Sequence, residues 1–242
     1  MLQMMNMGHA GMAKWGLRHI NVAQNAFALD VGCGGGANIK RLLHSCAKGC
    51  VKGLDYSAVS VEKSRRLNAD AIEAGRCQVL EGSVAQLPFE AGSFNLVTAF
   101  ETVYFWPNLH QAFLQVYRVL KPNGQLMICN EANGRNPKDE RWAGIIEGMK
   151  IYRSEQLEAT LREAGFSGIS TDESPKGWRA SSRKSARTRR DGSRNAAAHA
   201  PERETGRPPF YGRLPPGERG AARRGPFRRK TYLSSPECSG AY

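Results

Sequence analysis

From Phe27 onward the apolar and polar positions switch between two rhythms, and each switch marks a new element. "AFALDV" is short and almost wholly apolar, the pattern of a strand buried on both faces. "NIKRLLHSC" repeats its apolar residues at helical spacing, and "CVKGLDY" returns to a strand. "SAVSVEKSRRLNADAIEAG" predicts one helix, with Ser57 as its N-cap and Gly75 just past its end. "CQVLEGS" and "FNLVTAF" predict the third and fourth strands. The helix "LHQAFLQVYRVL" follows, with "KPNG" stopping it before a fifth strand, "QLMICNE". "SEQLEATLREAG" predicts another capped helix and "SGISTDES" a sixth strand. Strands and helices alternating at these lengths predict an α/β fold whose mostly parallel sheet is covered on both faces.

The two ends behave differently. Residues 1–21 space Met4, Met7, Met12, Trp15 and Leu17 as in short helices, interrupted by Gly8, Gly11 and Gly16, and predict a helical cap. Past Gly177 no apolar period survives, and the chain becomes rich in Arg, Gly, Pro and Ala. Such a segment buries too little apolar surface to offset its ordering entropy, so residues 179–242 are expected to be a disordered tail. The expected division is a cap at 1–21, a domain at 22–178 and the tail at 179–242.

Charge sharpens this division. The net charge of +13 is concentrated at one end: 19 Lys and Arg against 17 Asp and Glu through Trp178, then 16 against 5 over the last 64 residues. The tail alone therefore carries +11 and would bind polyanions such as nucleic acid nonspecifically. The six cysteines form no CxxC pair, which predicts reduced thiols in a cytoplasmic chain and no zinc site. No run approaches the roughly 18 apolar residues of a membrane span, and the first residues lack the pattern of a secretory signal.

Chemistry concentrates at residues 28–39, "ALDVGCGGGANI". A strand, a glycine turn and a helix in that order let a ligand touch the main chain while free N–H groups at the helix start face it. Asp55, closing the next strand, is placed to accept from ribose hydroxyls, so the ligand contains adenosine. Gly32, Gly34 and Ala37 also satisfy the dinucleotide pattern G-x-G-x-x-A, which leaves NAD(P) and an oxidoreductase as one alternative. A nucleic-acid-binding protein that uses the basic tail without catalysis is the other.

The chain resembles the class I S-adenosylmethionine-dependent methyltransferases, in the small-molecule branch near the ubiquinone and menaquinone enzymes. "LDVGCGGG" is similar to that family's first motif, with an acid ending strand one just before the glycines. "GLDYS", "EGSVAQLPFEAGSFNLVTA" and "RVLKPNGQLMI" follow in the family's order, and the resemblance covers about residues 5–175. It implies a Rossmann-like doubly wound sheet, S-adenosyl-L-methionine as cofactor, and in-line transfer of its methyl group to a small-molecule acceptor. It further implies that Asp30, Gly32, Gly34 and Gly36 hold the methionine end, Asp55 the ribose, and Tyr56 the adenine face. Ser83 and Val84 would lie along the adenine edge, with Phe100 and Glu101 on the floor after strand four. Many relatives carry Asp at the Ser83 position, and a neutral serine accepts more weakly. The resemblance implies no metal and assigns no residue that performs the chemistry.

Substrate residues are expected in "AFETVYFWPNLH", where Tyr104 and Trp106 are candidates and His110 reads as a surface residue. His9 is a further candidate, because N-terminal helices of the family often close over the cofactor. Residues 132–153 correspond to a region that often carries a substrate lid, with a solvated connector as the alternative. The family ends in two antiparallel strands, and "KGW" resembles the opening of the last one. "RASSRKSARTRR" then stands where an apolar strand belongs. This end is expected to be foreign to the fold, for instance through a reading-frame shift or an acquired extension, leaving a sheet edge unpaired. A basic arm for nucleic acid is the competing reading of the same residues.

Overall fold

The computed structural model describes residues 9–185. The chain opens with helix α1 (Ala10–Gly16) and a 3-10 turn (Leu17–His19), then enters β1 (Phe27–Val31) and α2 (Ala37–Ser45). Next come β2 (Cys50–Asp55), α3 (Ala58–Leu67), α4 (Ala69–Glu73), β3 (Cys77–Glu81) and β4 (Phe94–Phe100). A 3-10 turn (Val103–Phe105), α5 (Leu109–Val119), β5 (Leu120–Asn130), α6 (Pro137–Ile145) and α7 (Ser154–Glu163) follow. The last elements are β6 (Phe166–Glu173) and β7 (Arg179–Ser185). The sheet order is β3-β2-β1-β4-β5-β7-β6, with β1 to β5 parallel and β7 antiparallel to both its neighbours.

Alternating strand residues supply two cores. Leu29, Val31, Val97, Leu126 and Ile128 pack with Phe113 and Val116 of α5 and Leu157 and Leu161 of α7. Ala28, Val51, Val79 and Leu96 face the other way, onto Ile39 and Leu42 of α2 and Val61 of α3. Helix α1 extends that second layer, setting Met12 and Ala13 against Phe100, Met127, Cys129 and Ala180. The α/β, doubly wound expectation is therefore met. Cys33, Cys46, Cys77 and Cys129 are free and buried.

Three local expectations are corrected. The helix expected to run from Ser57 to Gly75 is two helices, broken at Asn68. Asn68 leaves helical geometry, with φ of −113° and ψ of 23°, and its buried amide donates to the Ser64 carbonyl at 2.9 Å and to the Gly36 carbonyl at 3.2 Å, which ties the break to the glycine turn. "KPNG" lies inside β5 rather than before it: Leu120 pairs with Phe94, and Gln125 with Leu96, so the residues between form an irregularity in one strand.

The third correction is the end of the sheet. Arg179–Ser185 were expected to belong to the tail but form β7, filling the gap between β5 and β6. Backbone pairing needs no apolar side chain, and small or paired residues tolerate the buried positions. Ala180 is buried, the Ser181 hydroxyl lies 3.2 Å from that of Thr171, and the Arg179 guanidinium donates to Glu173 at 3.0 Å. The rest of the expected tail, 186–242, and residues 1–8 of the expected cap lie outside the described residues.

Candidate functional site

Strand order reverses between β1 and β4, and the carboxyl ends of strands at such a point form a crevice. The turn after β1 is built into it by hydrogen bonds: Gly32 and Cys33 N–H groups donate to the Leu54 carbonyl at 2.7 and 3.1 Å. Gly32, Gly34 and Gly36 have φ of 71°, 52° and 82°, the left-handed region in which a Cβ is strained. Their surroundings differ. A Cβ on Gly32 would lie 2.0 Å from Thr102 Oγ1, and one on Gly36 would lie 2.4 Å from Ser64 Oγ. A Cβ on Gly34 would meet nothing within 4 Å. The Gly34 N–H donates to Asp55 Oδ2 at 2.8 Å, and the Ser57 N–H donates to Oδ1 at 3.0 Å, so the turn and the end of β2 orient one carboxylate together.

These groups border one cavity of about 820 Å³. Of the residues expected at a site, Gly32, Gly34, Asp55, Tyr56, Ser83 and Val84 line it. Phe100, Glu101, Trp106 and His9 line it too. Tyr56 is 77% exposed, which leaves its ring uncovered beside Asp55. Ser83 Oγ accepts from the Ala85 N–H at 3.2 Å. Asp30, Gly36 and Tyr104 do not border the cavity: Asp30 is buried within β1, Gly36 packs against Ser64 and Asn68, and Tyr104 is only 2% exposed.

Several cavity residues were not expected from the sequence. The 3-10 turn Val103–Phe105 turns Tyr104 inward and leaves Phe105, 42% exposed, on the cavity wall in its place. Arg41 of α2 and Thr102 also line it, as do Ile146, Glu147 and Gly148 just past α6. Residues 132–153 thus reach the cavity. Their composition carried that signal only as a choice between lid and connector.

Two acids here are perturbed. Burial pushes the Asp30 carboxyl up to about 7; the Thr98 hydroxyl, donating to Oδ1 at 2.7 Å, opposes the rise, and the Asp55 charge adds to it. Its other oxygen is buried with no hydrogen-bond partner. Burial also pushes Glu101 up to about 7. Glu101 has φ of 55°, and its Oε1 accepts from the Glu131 N–H and lies 3.0 Å from the Tyr104 hydroxyl. That hydroxyl accepts in turn from the Ala132 N–H at 2.9 Å.

Residues 29–128 match the family model described as a methyltransferase domain. The chain is 33% identical over 126 residues to the demethylmenaquinone methyltransferase of Lactiplantibacillus plantarum, covering 52% of this chain and 53% of that protein. The chain spans about half the length of the curated relatives it matches. Among solved structures it resembles a chain of the Haloferax volcanii complex between the Trm112 methyltransferase activator and a methyltransferase. The TM-score is 0.70 at 19% identity, covering 76% of this chain and 93% of that one. A SAM-dependent methyltransferase from Aquifex aeolicus superposes with a TM-score of 0.60 at 18% identity, covering 71% and 88%.

Proposed function

We propose that this chain, which carries a class I S-adenosylmethionine-dependent methyltransferase domain, moves a methyl group from S-adenosyl-L-methionine to a small-molecule acceptor. The observation that carries this reading is the single cavity joining the glycine turn, the carboxylate of Asp55 and the segment after β4.

The residues fit the cofactor. Gly34 faces open space, so a ligand can approach the main chain there. The lining carries Asp55, Glu101 and Glu147 against Arg41, and the buried Asp30 adds a further acid beneath the turn. An acidic lining favours a cationic sulfonium with its amino group over the pyrophosphate of a dinucleotide. Asp55 would take the ribose: each oxygen already accepts one backbone N–H and keeps capacity for a hydroxyl. Tyr56 would cover the adenine, with Ser83 and Val84 along its edge. Gly32, Gly34 and Gly36 shape the methionine end, and Asp30 acts on it from below through its charge.

When bound, the cofactor supplies a methyl group already activated for in-line displacement. The protein's part is alignment, which can supply roughly 7–11 kcal/mol of barrier lowering. Phe100 and Glu101 would form the floor between cofactor and acceptor. Trp106, Phe105 and Ile146 would offer the acceptor an apolar wall, and His9 would close the cavity from the N-terminal side. Tyr104 serves by holding Glu101 rather than by touching a substrate.

Among the described residues no helix is long and apolar enough to cross a membrane. A cytoplasmic location and a tail that meets nucleic acid without making it the substrate belong to the same proposal. Titration calorimetry with S-adenosylhomocysteine, NAD and a short RNA tests it. S-adenosylhomocysteine should bind, and Asp55→Ala should weaken it about ten- to a hundredfold, the loss expected for hydrogen bonds to a charged group. No binding by the wild-type chain, or equal binding by the variant, would overturn the reading.

A further inference from the structure

Beside the proposed cofactor groups, three donors from separate elements converge at one edge of the cavity. His9 precedes α1, Glu101 follows β4, and Glu131 follows β5. One ligand atom from each lies within 4.8 Å of the others, and His9 Nε2 is 3.6 Å from Glu131 Oε2. Ligands at about 2.0–2.2 Å from one ion stand roughly 3–4 Å apart, so small side-chain adjustments close the set.

Glu101 is held for such a role. Its Oε1 is engaged by the Glu131 N–H and the Tyr104 hydroxyl, while Oε2 has no partner among the described hydrogen bonds. The neighbouring charges acting on Glu101, those of Glu131 and Asp139, are both negative. Among the described ion pairs neither Glu101 nor Glu131 meets a lysine or arginine; Glu131 meets only His9. Among the described residues the two carboxylates therefore face each other with an imidazole as their counterpart. A divalent cation supplies the missing positive charge, and one nitrogen with carboxylate oxygens suits first-row ions such as Mn2+ better than an all-oxygen magnesium site.

We infer that His9, Glu101 and Glu131 form a binding site for a divalent first-row cation at the edge of the cavity. Three protein ligands leave further positions open. His9 and Glu101 line the cavity, so an open position is available to a group bound there. Resting on the methyl-transfer reading, this names the acceptor class: a molecule presenting a hydroxyl or enol oxygen to the cation, which favours loss of that proton to solvent water.

Mn2+ added to metal-stripped full-length protein and followed by the electron paramagnetic resonance signal of the free ion tests the site. Binding of one Mn2+ per chain is expected, weakened about tenfold or more by His9→Ala and by Glu131→Gln. Glu131 is exposed, so Glu131→Gln should melt like the wild type and isolates the ligand effect from folding. Absence of stoichiometric binding, or equal binding by wild type and both variants, overturns the inference and leaves a plain His9–Glu131 ion pair. Calorimetry with S-adenosylhomocysteine on the same metal-free protein separates the two readings. Nucleoside binding without Mn2+ binding overturns the cation site alone; Mn2+ binding without nucleoside binding upholds the site and overturns the methyl-transfer reading.

Discussion

Gly32 and Gly34 share a turn and a backbone conformation, yet one is constrained by the protein and the other by what the cavity must admit. Either alanine variant pays about 1–2 kcal/mol for a left-handed φ. At Gly32 the new methyl also overlaps the Thr102 hydroxyl, adding about 1–3 kcal/mol of overpacking. At Gly34 it projects into open space. Gly32→Ala should therefore lower the melting temperature clearly more than Gly34→Ala does. Gly34→Ala should lose S-adenosylhomocysteine affinity in calorimetry while remaining folded. Equal melting of the two variants would mean that Thr102 yields freely and does not hold the turn. Tyr104 and Phe105 make the complementary point. Both are aromatic, and nothing in "ETVYFWP" marks which one faces a ligand. That choice is made by a single 3-10 turn and by the Tyr104 hydroxyl finding Glu101 and Ala132.

At the level of elements, patterns with a strong period were legible and those resting on backbone pairing were not. β1 and β4 announce themselves because burial on both faces demands nearly continuous apolar residues. The break at Asn68 was hidden, since a single residue leaves helical geometry within a helical period that runs past it on both sides. β7 was hidden because its ladder to β5 and β6 uses main-chain groups, and among its described side chains Ala180 alone joins an apolar cluster. The glycine turn was legible because few residues other than glycine tolerate left-handed conformations, and Asp55 because it closes the next strand. Arg41, Phe105 and Ile146 were not, because they reach the cavity through tertiary packing. The seventh strand gives a direct test. Ala180→Asp places a carboxylate against Met12, Phe100, Met127 and Cys129 with no partner, which should cost more than about 3 kcal/mol. Urea unfolding would show it as a lower midpoint. A variant as stable as the wild type would mean that Arg179–Ser185 are dispensable to the sheet.

For the molecule as a whole, placing a ligand site at the switch point sets acids close to the core, and this couples stability to pH. Asp30 sits in the sheet between β2 and β4, with burial raising its carboxyl from 3.8 to about 7. Below about pH 4 both folded and unfolded chains hold this proton, so Asp30 leaves stability unchanged. Between about 4 and 7 the unfolded chain releases the proton while the folded chain keeps it, and stability falls as pH rises. Above that window both states are ionised and the loss, on the order of a few kcal/mol, is complete. Asp30→Asn removes this proton from both states. The variant should unfold at higher urea than the wild type at pH 8, and the difference should narrow steadily toward pH 4. Comparing the two chains cancels the contribution of titrating groups whose charge does not act on Asp30; Asp55 and Arg41, whose charges do, stay coupled to it. Parallel pH profiles for wild type and variant would mean that folding does not raise the Asp30 carboxyl, the penalty of burial being offset by its neighbours. The Thr98 hydroxyl and the Arg41 charge both oppose the rise and would then be what offsets it. A bound cofactor that brings an amino group near Asp30 should act in the same direction, so saturating S-adenosylhomocysteine should flatten the wild-type profile between pH 5 and 7 and leave that of Asp30→Asn unaltered.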